Sequence, residues 1–212
     1  MRRTGLMLIL TAVATVVAVV GRVWADADHE TLADSLAAIA ERRGLYGLGG
    51  AGRLLSGVTL IAAGWFLFGS ASHGRRERSV ILPFLFAMSG ALTACSGASA
   101  VALAAVATEG LDAAGLEALA RHQEATAWLR RFTGAAGFAL AGLALIVIAW
   151  RQWGAGGSLK RIAPASALLG LAIQFVWLDA ATVMHIVTGT LFVAWLVAGG
   201  RMLLKGGAWI PG

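Results

Sequence analysis

Few chemically capable side chains fall inside the apolar runs of this sequence. His185 is the one histidine within such a run. On a helix it shares a face with Thr182 and Gly189. Its default role is a hydrogen bond to a neighbouring helix. The alternatives are a proton relay and the ligand of a haem or (bacterio)chlorophyll. A haem held by two histidines needs a second one at matching depth, and His29, His73 and His122 all lie in connecting segments. No cofactor is therefore expected outright, and a single-ligand haem or pigment stays open at His185. Asp179 lies six residues earlier, about 9 Å along a helix at ~1.5 Å per residue. It sits in the turn Trp177-Leu178-Asp179-Ala180, where capping the next helix competes with a proton or ligand role.

A second constellation is weaker in charge and stronger in spacing. Ser89, Thr93, Ser96 and Ala100 recur every three or four residues and define one small, polar helix face. Gly134, Gly137 and Ala141 do the same further on. Such faces serve helix packing, or they line a polar path for a small solute. Cys95, between Ala94 and Ser96, is expected to be an inert buried thiol. His29 and His122, with Glu30, Glu124 and Asp179, are polar groups on one side of the chain, but no close ligand spacing such as His-x-x-x-His links them, so no metal site is expected. The run Gly47 to Gly52 has no lysine after it to hold a nucleotide and reads as a flexible entry to the following apolar segment. No nucleophile elbow is present, and no enzyme activity is expected.

The elements that must position these residues follow from composition. The chain has 212 residues, 58% hydrophobic and 13% charged, with a mean hydropathy of +0.78. Soluble domains carry about 25% charged residues. The net charge of +6 is distributed as punctuation between apolar runs, not as a stripe, so it points to membrane insertion and away from nucleic acid. Six runs, over residues 5–24, 51–69, 80–107, 133–150, 162–178 and 181–200, approach the roughly 20 residues that cross a bilayer core. Each should be a helix, because a segment in lipid must satisfy its own backbone hydrogen bonds. The expected fold is all-α: one transmembrane domain over residues 1–212, built as a bundle of six helices. Met1-Arg2-Arg3 and Ala25-Asp26-Ala27 have the look of a signal peptide. The apolar stretch between them exceeds the usual ~7–15 residues, so it reads as a true span.

Six spans place both termini on one side. That side then carries ten of the 17 basic residues and one of the 11 acids, Glu77. The positive-inside rule assigns it to the cytoplasm of a bacterial inner membrane. Tryptophans fit the same frame: Trp24, Trp128 and Trp177 at the outer boundary, Trp150, Trp153 and Trp209 at the inner one. The two long outer segments, 26–49 and 108–132, are not merely polar. Leu32, Leu36, Ile39 and Ala40 in the first, and Leu111, Leu116, Leu119 and Ala120 in the second, predict two short amphipathic outer-surface helices. Thr31 and Asp28 are candidate N-caps for the first. The paired hairpins hint at an internal duplication.

The stretch Ala37 to Gly69, with Arg42-Arg43-Gly44-Leu45-Tyr46 leading into Arg53-Leu54-Leu55-Ser56-Gly57, resembles a family of small bacterial multi-pass proteins of unknown function. That resemblance implies a six-span fold with a short outer helix and no activity. His185-Ile186-Val187-Thr188-Gly189 is faintly similar to the His-x-x-x-Gly of some haem-binding membrane anchors, without their partner histidines. The leading expectation is an accessory or scaffold subunit that packs against lipid and other membrane subunits. A small-solute or proton transporter, and a redox or pigment-binding subunit, are the alternatives.

Overall fold

A computed structural model describes residues 1–71, 80–175, 182–207 and 209. Within them the chain is all-helical, with seven α-helices and no strand: α1 (Arg2–Ala25), α2 (Leu32–Glu41), α3 (Arg43–Ala71), α4 (Ile81–Val106), α5 (Ala113–Ala155), α6 (Gly157–Phe175) and α7 (Thr182–Leu204). Five of these, α1, α3, α4, α5 and α7, contain segments long and apolar enough to cross a membrane. The 19-residue α6 carries Lys160, Arg161 and Pro164 in its first half and falls short of that measure. Large apolar side chains point outward, including Trp65 at 72% and Trp150 at 74% exposure. Such surfaces suit a lipid solvent, not water.

Local chemistry sets the helix ends. Thr31 caps α2, its hydroxyl accepting the Asp34 N–H at 3.1 Å. The Asp112 carboxylate accepts the Gly115 N–H at 2.8 Å and starts α5. Thr31, not Asp28, is the N-cap of α2, and Asp28 pairs with Arg22 and Arg130. The turn between α5 and α6 is made by Gly156 and Gly157, both at positive φ, where a Cβ would be strained.

The six long helices form a closed ring in the order α1, α3, α4, α5, α6, α7, each packed on the next, with α7 returning to α1. Among the described residues the α6–α7 contact is the thinnest seam. The short α2 lies across one end of the ring on α3, α4 and α5, burying Leu36, Ile39 and Ala40. At the other end the first turns of α1 touch the last turns of α7, since a Cβ on Gly5 would lie 2.7 Å from the Gly200 carbonyl oxygen. The start of α1 and the last turns of α7 thus lie at the same end of the bundle, and α1 is an integral member of it.

Glycine brings the ring together. Gly57 of α3 and Gly90 of α4 face each other so closely that a Cβ on Gly90 would lie 2.5 Å from the Gly57 carbonyl oxygen. Gly21 and Gly49 join α1 to α3, and Gly142 and Gly170 join α5 to α6, in the same manner. The run Gly47 to Gly52 is therefore not a flexible entry. It is continuous helix, and Gly52 is pressed to a projected 2.7 Å from the Ala18 backbone nitrogen.

A second difference concerns residues 113–132. They form no separate short helix but continue into the fourth apolar run as one 43-residue helix. No proline or turn residue interrupts Glu117 to Phe132, so nothing stops a helix once it has started. The two hairpins differ for that reason: the first breaks at Arg42, between α2 and α3, and the second does not break. A third difference is Trp209. Its ring is folded into the bundle, edge-on to Trp195 with ring centroids 5.6 Å apart.

Trp195 and Trp209 belong to a buried polar network. Gln152 is fully buried. Its Oε1 accepts the Ser166 hydroxyl at 2.9 Å, and its Nε2 donates to the Trp209 carbonyl at 3.2 Å. The Trp195 indole N–H donates to the Ser166 hydroxyl oxygen at 3.0 Å. The network ties α5, α6 and α7 together at the terminal end of the ring. Replacing Gln152 by Leu strands two buried groups, at about 1–3 kcal/mol. Thermal unfolding of the detergent-purified chain is expected to show this as a lowered midpoint. Gly57→Leu, which must force two backbones apart, is expected to cost more, while Gly44→Leu, with nothing within 4 Å of its projected Cβ, leaves the midpoint unchanged.

A cationic cavity on the bundle axis: candidate functional site

Within the ring lies a partly open cavity of about 100 Å³, and every one of the six long helices contributes to its wall. A single water occupies ~10–15 Å³ on this measure, so the space accepts several waters or a small molecule. Its wall divides into two halves. Leu60, Phe138, Ala141, Ile173 and Phe192 are apolar, and below them Leu60, Ile173 and Phe192 merge into the main hydrophobic core. Arg22 (α1), Arg53 (α3) and Arg130 (α5) form the other half with Tyr46, toward the end covered by α2. Thr15, Ser56, Ser89, Thr93 and Thr188 add hydroxyl-bearing side chains to the wall.

Asp28 organises the arginine end. It stands in the segment between α1 and α2 and is half exposed. One carboxylate oxygen accepts from Arg22 Nη2, and the other accepts from Arg130 Nη2 at 3.3 Å. Arg130 also lies 5.9 Å from the centre of the Tyr46 ring, and Arg53 lies 5.4 Å from that of Phe138. Each guanidinium thus has an aromatic face or a carboxylate beside it. The buried Nε of Arg130 has no hydrogen-bond partner among the described residues. Arg22, Arg53, Arg130 and Asp28 thus gather ionised side chains at this end of the cavity, in a setting where charge is poorly screened.

The supporting shell comes from small polar residues at helix crossings. Ser96 donates to the Arg130 carbonyl at 2.8 Å, and Ser89 donates to the Gly137 carbonyl at 2.8 Å. These two bonds fix the register of α5 against α4, and with it the depth of Arg130. Across α1 and α3 the hydroxyl pairs Thr11–Thr59 at 2.8 Å and Thr15–Ser56 at 2.9 Å do the same for Arg22 and Arg53. Arg42 and Arg43 stand outside, donating to the Trp24 and Ala105 carbonyls near the ends of α1 and α4.

The residues singled out from the sequence are distributed unevenly. Ser89 and Thr93 line the cavity, and Ser96 instead holds Arg130's backbone. His122 is exposed on the protruding part of α5, away from the cavity wall. Asp179 lies outside the described residues. His185 falls on α7, but its side chain lies outside them. Among the described residues no three His, Cys, Asp or Glu side chains are grouped to hold a metal ion.

The three arginines were not anticipated as a site. Their signal was available: each lies at the α2-side end of an apolar run, so aligning the runs brings all three to one depth. No family model matches the chain, and neither a curated protein nor a solved structure matches it. The site must be interpreted from its own geometry.

Removing the shared carboxylate tests that geometry. Asp28→Ala leaves Arg22 and Arg130 as neighbouring like charges. Because Asp28 is partly exposed, the expected loss is about 1–2 kcal/mol, below the ~3–5 kcal/mol of a fully buried pair. Thermal unfolding should record it, and the loss should shrink as salt is raised and the repulsion is screened.

Proposed function

We propose that this chain is a six-span carrier of a small solute in a bacterial inner membrane, with both termini cytoplasmic and the α2 end facing outward. The observation that carries the reading is the axial cavity, walled by all six long helices, with arginines toward one end and apolar side chains toward the other. A helix that only had to fill space would leave no such volume, because interiors pack to the density of organic crystals. Solute sites at the middle of a helical ring, closed on one side, are what alternating access requires.

The sixth crossing is α6. Its packing between α5 and α7, and the contact of Gly5 with Gly200, support an even number of passes. Lys160 and Arg161 then lie at the cytoplasmic end with Arg2, Arg3 and Arg201, as the positive-inside rule asks. The α2 end carries the acids. The α2 helix and the first part of α5 lie on the outer surface in this frame.

The accessory-subunit expectation drew on small-residue faces. The closest of these, Gly21–Gly49, Gly57–Gly90 and Gly142–Gly170, are engaged within the chain and so lend no support to a partner. No described feature favours a haem or pigment at His185.

Reconstitution into liposomes tests the carrier reading. Uptake of at least one labelled solute, from a panel of small anions, cations and neutral molecules, should exceed that of protein-free liposomes. Ala141→Leu, which fills the cavity, is expected to lower that uptake at least tenfold while the protein stays monodisperse. A protein that moves nothing in the panel, or an Ala141→Leu variant that is fully active, would remove the proposal.

A further inference from the structure

We infer that the cleft between α1 and α7 is a lateral portal through which the axial cavity takes its solute from the lipid. That solute is an uncharged molecule with one hydrocarbon chain, which lies in the cleft while its small end passes between Val19 and Gly189. This rests on the reading of the axial cavity as a solute site, and it names the class of solute and the route.

The two helices run antiparallel and are pinned together at one end. A Cβ on Gly5 would lie 2.7 Å from the Gly200 carbonyl oxygen, and one on Gly200 would lie 2.8 Å from that of Gly5, so backbone meets backbone there. From Gly5 to Val19 is about 21 Å along α1, at ~1.5 Å per residue. At that level the contact is of another kind. Among the described residues, a projected Cβ on Gly189 meets only Cγ2 of Val19, at 3.2 Å. A side chain, not a backbone, spans this crossing.

Space lies on both sides of it. On the inside is the axial cavity. On the outside is an open groove of about 280 Å³, lined by Val16, Val20 and Trp24 of α1 and by Ile186 and Val193 of α7. Val19 and Gly189 belong to both walls. One valine and a residue without a side chain are a thin partition between lipid and chamber.

The groove selects its occupant. Both helices that form it are long and apolar enough to cross a membrane there, so the solvent outside is hydrocarbon. No charged side chain lines the groove among the described residues, and Val16, Val20 and Ile186 are exposed along it. A charged or hydrated solute would shed its water there with nothing to replace it. A hydrocarbon chain loses nothing. Behind the partition, hydroxyl-bearing Thr15, Ser56 and Thr188 stand among apolar side chains and suit a small polar end. The volume of about 100 Å³ limits that end to a few heavy atoms, too few for a phospholipid headgroup.

The test uses the full chain in liposomes, with Cys95→Ala as background. Ala141→Cys puts a thiol in the chamber wall, and Leu171→Cys puts a control thiol on the exposed face of α6. Dodecyl methanethiosulfonate and its sulfonatoethyl counterpart carry the same thiol-reactive group, the first dissolved in lipid and the second held in water on both sides. Mass spectrometry follows both reactions. The dodecyl reagent should modify the chamber thiol at least tenfold faster than the sulfonate. Gly189→Leu, which thickens the partition, should slow that reaction at least tenfold and leave the control thiol unaffected. Val19→Ala, which thins it, should speed the reaction about threefold or more, and decides the matter should Gly189→Leu fail to fold.

A chamber thiol that the sulfonate reaches as fast, or that neither reagent reaches, overturns the proposal. So does a dodecyl rate indifferent to both partition variants. A phospholipid that copurifies and must be stripped before the dodecyl reagent enters assigns the cleft to a bound bilayer lipid instead. Labelling that obeys the partition, with no flux of any solute, refutes the carrier and leaves the portal standing. Flux of a water-soluble solute with labelling indifferent to the partition does the reverse.

Discussion

Two helices can approach until their backbones touch only where neither has a side chain at the crossing. Most close neighbours in this ring meet in that way, at Gly21–Gly49, Gly57–Gly90, Gly142–Gly170 and Gly5–Gly200. In lipid there is no hydrophobic drive between apolar helices, so contact of this kind and hydrogen bonds across it must supply the association. The hydroxyl pairs Thr11–Thr59 and Thr15–Ser56 and the serine-to-carbonyl bonds of α4 lie beside the glycine contacts. Helices drawn this close at their crossings enclose a narrow axial space where the side chains facing inward are small or turned aside. The cavity is thus a consequence of the packing and not an addition to it.

The same packing explains how three guanidiniums are tolerated among apolar helices. Each arginine lies next to a small-residue contact: Arg22 follows Gly21, Arg53 follows Gly52, and Arg130 is held through its carbonyl by Ser96. Their side chains turn toward one end of the axis, where Asp28 and the rings of Tyr46 and Phe138 receive them. Charge in such a place is expensive unless something answers it. The Asp28 carboxylate, reaching in from a connecting segment, supplies part of that answer.

Much of the architecture could be read from the sequence, because a lipid-facing helix announces itself by length and composition. The apolar runs 5–24, 80–107 and 133–150 coincide with α1, α4 and the second part of α5. What escaped was cooperation between distant positions. Gly47 to Gly52 looks like a hinge in one dimension, since only the backbones of α1 and α4 show why glycine is needed there. Ser96 looked like part of a polar lining, and its hydroxyl direction, toward Arg130's carbonyl, depends on the register of a helix 34 residues away. Arg22, Arg53 and Arg130 looked like boundary charges one by one. No periodicity along the chain connects residues on three helices, so their convergence becomes visible only when the spans are set side by side.

The unbroken length of α5 carries a mechanical implication. At ~1.5 Å per residue its 43 residues extend about 65 Å, twice the ~30 Å of a bilayer's hydrocarbon core. Arg130 lies in its first half, and the stretch from Ala113 to Leu129 runs on beside α2 and the last turns of α4. A stiff rod with a cation at its fulcrum is a lever. Within that rod no joint separates the α2-side stretch from the guanidinium or from the residues of α5 that line the cavity.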